Sequence, residues 1–97
     1  MSLFEIVDAT DDVIYYTLAV YENFETAKKE LLSRVDSNFA MTDYGDEFEK
    51  IEIREHNNGW GLGYKTVLTL TRTKNYSEEL DEDQWETMIE IQPDYQL

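Results

Sequence analysis

Six carboxylates fall within the ten residues from Ser77 to Glu86, SEELDEDQWE, and no base follows them in the chain. Clustered carboxylates can hold a divalent cation, share a proton for acid–base work, or face a basic partner. A calcium loop of the EF-hand type needs acids at alternating positions, a glycine at the sixth and a glutamate at the twelfth. A loop begun at Asp81 has Glu86 where the glycine must stand, so that pattern fails. Acid–base pairing carries little signal here, because with 22 acidic residues in 97 some pair is always close.

Other reactive groups are sparse. His56 is the single histidine and lies in EHNNGWGLG beside a glycine-rich stretch; its type and place suit an exposed turn neighbour. One histidine cannot form a His-cluster metal site, and Ser33, Ser37 and Ser77 lack any nucleophile context. Gly59, Gly61 and Gly63 spell G-x-G-x-G and precede a second strand pattern, so they lack the helix N-terminus that binds phosphate. They read as a hairpin tip. Trp60 between them either folds back as a staple or stands out as an interface anchor. With no cysteine, thiol catalysis, thiolate metal sites and disulfides are all excluded. No cofactor, metal or catalytic residue is therefore expected, and the chain reads as a binder.

The elements that must position these residues follow from pattern. Ninety-seven residues with 41% apolar and 13% aromatic content suit one domain with one core. Leu3 to Val7 is β-prone, with an acidic break after it. Val13 to Tyr21, VIYYTLAVY, is apolar on both alternating faces, which predicts a strand central in a sheet. Asn23 reads as a helix N-cap with Glu25 in the first turn. Phe24, Ala27, Leu31 and Val35 recur at helical spacing, with Lys28, Lys29 and Arg34 outward, and the helix should stop between Asp36 and Asn38.

Asn58-Gly59 predicts a two-residue hairpin turn. That register sets Ile53 opposite Tyr64 and Glu52 opposite Lys65. It gathers Ile51, Ile53, Leu62, Tyr64, Leu68 and Leu70 on one face and Lys50, Glu52, Arg54, Lys65, Thr69 and Thr71 on the other. Trp85 to Gln92 alternates as a closing strand, with a helix through Leu80 to Met88 as its rival. The expected fold is α+β, of order β-β-α-β-β-β: an antiparallel sheet of four to five strands with one amphipathic helix on one face.

Charge then narrows function. The net charge is −14. Residues 1–27 carry six acids and no base, residues 28–74 eight of each, and residues 75–97 eight acids and no base. Nucleic acid and anionic membranes would be repelled, and a basic protein surface attracted. Spread over about 6,000 Å², this charge gives roughly one per 400 Å², against about one per 100 Å² on duplex DNA. Imitating a polyanion therefore requires clustering.

The expected partner surface joins Asp8, Asp11 and Asp12, with Glu5 beside them, to Glu78, Glu79, Asp81, Glu82, Asp83 and Glu86 in one ridge, with Trp60 as an apolar anchor. The function this implies is a small acidic binding protein that blocks a nucleic-acid-binding site on a partner, an inhibitor of the kind a phage or mobile element carries. The alternatives are an immunity protein or antitoxin for a basic toxin, or an accessory subunit assembling through Trp60 or a strand edge. No stretch has the length of a bilayer span, the first residues lack the pattern of a signal peptide, and the absence of cysteine fits a cytoplasmic setting.

Overall fold

In the computed structural model, residues 2–11, 13–36, 49–57 and 63–96 are described. Their elements are β1 (Leu3–Asp8), β2 (Tyr16–Tyr21), α1 (Phe24–Asp36), β3 (Lys50–His56), β4 (Lys65–Ser77) and β5 (Glu82–Ile91), then a 3₁₀ turn at Pro93–Tyr95. The strands form one antiparallel sheet in the order β2-β1-β3-β4-β5, and α1 packs over β1 and β2. This is the α+β architecture that the pattern predicts.

The helix begins where its cap chemistry puts it. The Asn23 Oδ1 accepts the backbone N–H of Thr26 at 2.8 Å, satisfying one of the donors that a helix start leaves free. Phe24, Ala27 and Leu31 are buried, as their spacing requires; the side chains of Arg34 and Val35 lie outside the described part. Across the sheet Phe4, Ile6, Ile51, Ile53, Val67, Leu68 and Leu70 complete the core. Tyr95 closes one end, its ring centroid 4.8 Å from Phe24 and 6.1 Å from Phe4.

Two expectations about the sheet are corrected. The first is β2, which is an edge strand rather than a central one. Val13, Ile14, Tyr15, Tyr16 and Val20 are exposed, so the apolar content on both alternating faces does not mark two buried faces here.

The second is the β3–β4 register. Ile53 stands opposite Leu68, and Glu52 opposite Thr69, with an irregularity that sets Arg54 opposite Thr66 and Glu55 opposite Lys65. The strands are thus offset by about four residues from the predicted pairing, and Glu55↔Lys65 is the last pair towards the connection among the described residues. Asn58-Gly59, Trp60 and Leu62 themselves lie outside the described residues. Val67 is the extra residue at a β-bulge, and both it and Leu68 reach the core. Beyond the bulge the alternation changes sides, which carries Tyr64 from the predicted apolar face to the polar one.

At the acidic stretch the closing strand holds against its helical rival, and it begins at Glu82 rather than Trp85. Ten consecutive pairs join β4 to β5, from Leu68↔Ile91 to Ser77↔Glu82, closed by Glu78 to Asp81. Asp81 takes the left-handed conformation (φ 51°), which aspartate tolerates better than most residues. Because β3 pairs with β4 only as far as Thr71, five β4 residues, Thr73 to Ser77, are flanked by β5 alone among the described residues. At about 3.4 Å per residue this two-stranded ribbon runs some 17 Å past the sheet. It contributes to the molecule's elongated 50 × 30 × 22 Å outline.

Candidate partner-binding surface

The ribbon positions the C-terminal carboxylates. Glu78, Glu79, Asp81, Glu82, Asp83 and Glu86 are all exposed. Short-range bonds fix the tip: the Tyr76 hydroxyl donates to Asp81, the Leu80 N–H donates to Ser77 Oγ at 3.4 Å, and the Gln84 amide donates to Glu82 at 3.2 Å. The bond to the Asp81 carboxylate holds the Tyr76 hydroxyl above its ordinary pKa.

The N-terminal acids are divided by the fold. Asp11 is exposed and its Oδ1 accepts the N–H groups of Val13 and Ile14 at 2.8 and 3.2 Å, which lowers its pKa. Asp8 accepts the Thr10 N–H at 3.1 Å. Asp12 lies outside the described residues, as does Trp60. Glu5 is no part of the surface: it is 4% exposed, accepts the Thr17 hydroxyl, and stands 2.8 Å from His56 Nε2. His56, expected as an exposed turn neighbour, is buried at the end of β3, where it pairs with Leu3 of β1 and its Nε2 meets the Glu5 carboxylate.

Among the described residues the expected continuous ridge does not form. Asp8, Ile51, Leu70 and Ile89 lie on one row across β1, β3, β4 and β5. The N-terminal acids therefore share an end of the sheet with the root of the ribbon. Its tip extends seven residues past Leu70, roughly 23 Å further along. The acidity is split into a ribbon-borne cluster and a smaller one in the β1–β2 loop.

A buried charge network on the helix-free face went unseen in the sequence. Arg54 Nε donates to Glu52 at 2.9 Å, with Lys50 Nζ 3.6 Å from the same carboxylate. The Arg54 guanidinium lies 4.5 Å from the ring centre of Tyr15 and 4.4 Å from that of Tyr64. On the helix face Lys65 pairs with Glu55 at 3.7 Å, where Glu52 was expected to be its neighbour. Glu55 also accepts the Tyr95 hydroxyl; burial, with that bond, pushes the phenol up to about 12. Arg54 thus offsets an interior carboxylate from within the fold, whereas Lys50 and Lys65, about half exposed, reach Glu52 and Glu55 from the surface.

Spread over the 6681 Å² of accessible surface, a net −14 averages roughly one charge per 480 Å². From Thr73 to Glu86 six carboxylates face one lysine, a net of −5. On a ribbon about 20 Å long and about 40 Å around, built from the strand spacings, that is roughly one per 160 Å². The ribbon is about threefold denser than the average and within about twofold of duplex DNA. Among the described residues no three acidic or histidine side chains are grouped so as to hold a metal ion, and no helix is long and apolar enough to cross a membrane. Comparison with protein-family models, curated proteins and solved structures finds no match.

Proposed function

We propose that this chain is a small, non-catalytic binding protein whose β4–β5 ribbon engages a basic surface of another protein, one that otherwise holds nucleic acid. The observation that supports this is the ribbon itself: six exposed carboxylates on a projection that adds little to the core. Self-repulsion in such a cluster costs stability, and the field it creates steers a basic partner and suppresses wrong ones. A narrow projection of near-duplex charge density fits a groove that accommodates a nucleic-acid backbone. In this reading the protein inhibits by occupancy, as an agent of a phage or mobile element would, and acts in the cytoplasm.

A second reading, an accessory subunit, draws on the exposed Val13, Ile14, Tyr16 and Val20 at the β2 edge, with Trp60 as a further anchor. One experiment separates the two. The tagged protein captures partners from a lysate at low and moderate salt, with duplex DNA as competitor. The first reading expects identified nucleic-acid-binding proteins, released by salt and by DNA. It also expects their loss on combining Asp81→Lys, Glu82→Lys and Asp83→Lys, which takes the ribbon from a net of −5 to +1. Salt-insensitive capture that survives this triple reversal and fails with Val13→Ser and Tyr16→Ser overturns it in favour of the subunit.

A further inference from the structure

We infer that the outer edge of β5 accepts an extended, lysine- or arginine-rich segment of the partner as a sixth strand. This rests on the reading that the partner is basic, and it adds the manner of holding. The Gln92 N–H donates to the Val67 carbonyl at 2.9 Å, which marks Gln92 and Val67 as a hydrogen-bonded pair. Antiparallel pairs alternate, so Glu82, Gln84, Glu86, Met88 and Glu90 turn their backbone groups toward β4. Asp83, Trp85, Thr87 and Ile89 turn theirs outward. The Ile91 carbonyl also faces out, and there the Gln96 amide fills it at 2.6 Å. From Trp85 to Ile89 the edge is open among the described residues, and every described side chain on it is exposed.

Open edges are commonly guarded by a lysine, a proline, a bulge or short length. β5 is ten residues long, pairs with β4 without irregularity, and contains no lysine, arginine or proline. Its guard is negative charge alone, and that guard is selective. A second copy would set Glu82, Glu86 and Glu90 near their own equivalents, so self-pairing is repelled. A basic segment meets the opposite field. Glu82, Glu86 and Glu90 recur every fourth residue on the helix-free face with Met88 between two of them, and Ile89 is exposed on the other face. The occupant that fits places basic side chains at alternate positions along one face and aliphatic ones along the other.

The test uses the full chain and a ten-residue peptide of alternating lysine and valine. Two further versions are N-methylated at all lysine amides or at all valine amides, and a helical lysine-rich peptide of equal charge serves as control. A strand bonds through one of its edges, so one methylation pattern should weaken binding by about tenfold or more while the other changes it less than about twofold. Bound peptide should slow amide exchange at Trp85, Thr87 and Ile89 by about tenfold and leave Met88 and Glu90 nearly unchanged. Thr87→Pro, which deletes one outward donor at a position where edge strands tolerate proline, should weaken the peptide similarly; if that variant does not fold, the methylated peptides decide. Equal binding by all four peptides overturns strand addition and leaves the acidic-surface reading standing. No binding by any of them, with partner capture surviving the ribbon reversal, overturns both.

Discussion

Consider Arg54 replaced by leucine. Arg54 is 6% exposed, its guanidinium bonded to Glu52 and held between the rings of Tyr15 and Tyr64. Its removal strands the Glu52 carboxylate, itself only 8% exposed. Breaking one side of a buried ion pair costs about 3–5 kcal/mol. Lys50 and the Thr66 hydroxyl, at 3.6 and 3.5 Å, stay close to that carboxylate and pull the cost toward the lower limit. The two lost ring contacts add about 0.5–1 kcal/mol each. The expected loss is therefore about 4 kcal/mol, a large share of the roughly 5–15 kcal/mol available to a small domain. Urea unfolding followed by tryptophan fluorescence measures it, and the melting temperature should fall by about 15–30 °C. The double variant Arg54→Leu with Glu52→Leu should recover most of the loss, because both charges then leave the interior together. A single variant within about 1 kcal/mol of the parent, or a double variant worse than the single, refutes the claim that this pair is buried and mutually dependent.

Three further outcomes follow from local geometry. Tyr95 should ionise near pH 12 in a spectrophotometric titration. Its folded pKa lies above the unfolded value near 10, so the stability it contributes is complete below pH 10 and lost as pH rises through about 12; Tyr95→Phe should remove that dependence. Asp11, held below its ordinary value of 3.8 by two backbone donors, should titrate by NMR with a midpoint under 3.8. Its contribution is present above that value and lost as pH falls through the folded midpoint, and a midpoint at or above 3.8 contradicts the Asx turn. Asn23→Ala should cost about 1 kcal/mol in denaturant unfolding, whereas Asn23→Asp should cost little.

How far the sequence carried the fold is clearest strand by strand. Alternation in Ile51 and Ile53, and again in Leu68 and Leu70, assigned both strands to their correct faces. Alternation has a period of two, however, so an offset of four residues leaves it intact. Pattern alone could not tell Ile53 opposite Tyr64 from Ile53 opposite Leu68. The bulge at Val67 then moved Tyr64 onto Arg54, and no residue type announces that. Strand edge and strand centre were confused at β2, because β-branched and aromatic residues suit either. The helix was legible from Asn23 onward, since its cap and its apolar spacing are both local.

The site followed the same division. The ribbon's carboxylates are contiguous in sequence and stay together. The grouping of Asp8 and Asp11 with them required knowledge of how far the hairpin extends, which is a tertiary quantity. Glu5 and His56 look like surface residues by type; only their placement on neighbouring strands, with Thr17 beside them, makes them a buried pair.

The closure of the hairpin at Ser77 and Glu82, some five residue pairs beyond the last support from β3, has a practical corollary. Residues 78–81 can be exchanged for a longer or neutral turn with little consequence for the interior. The proposed partner contact and the folding of this chain are therefore separable by mutation, and variants that sample only the tip test that proposal without a background of misfolded protein.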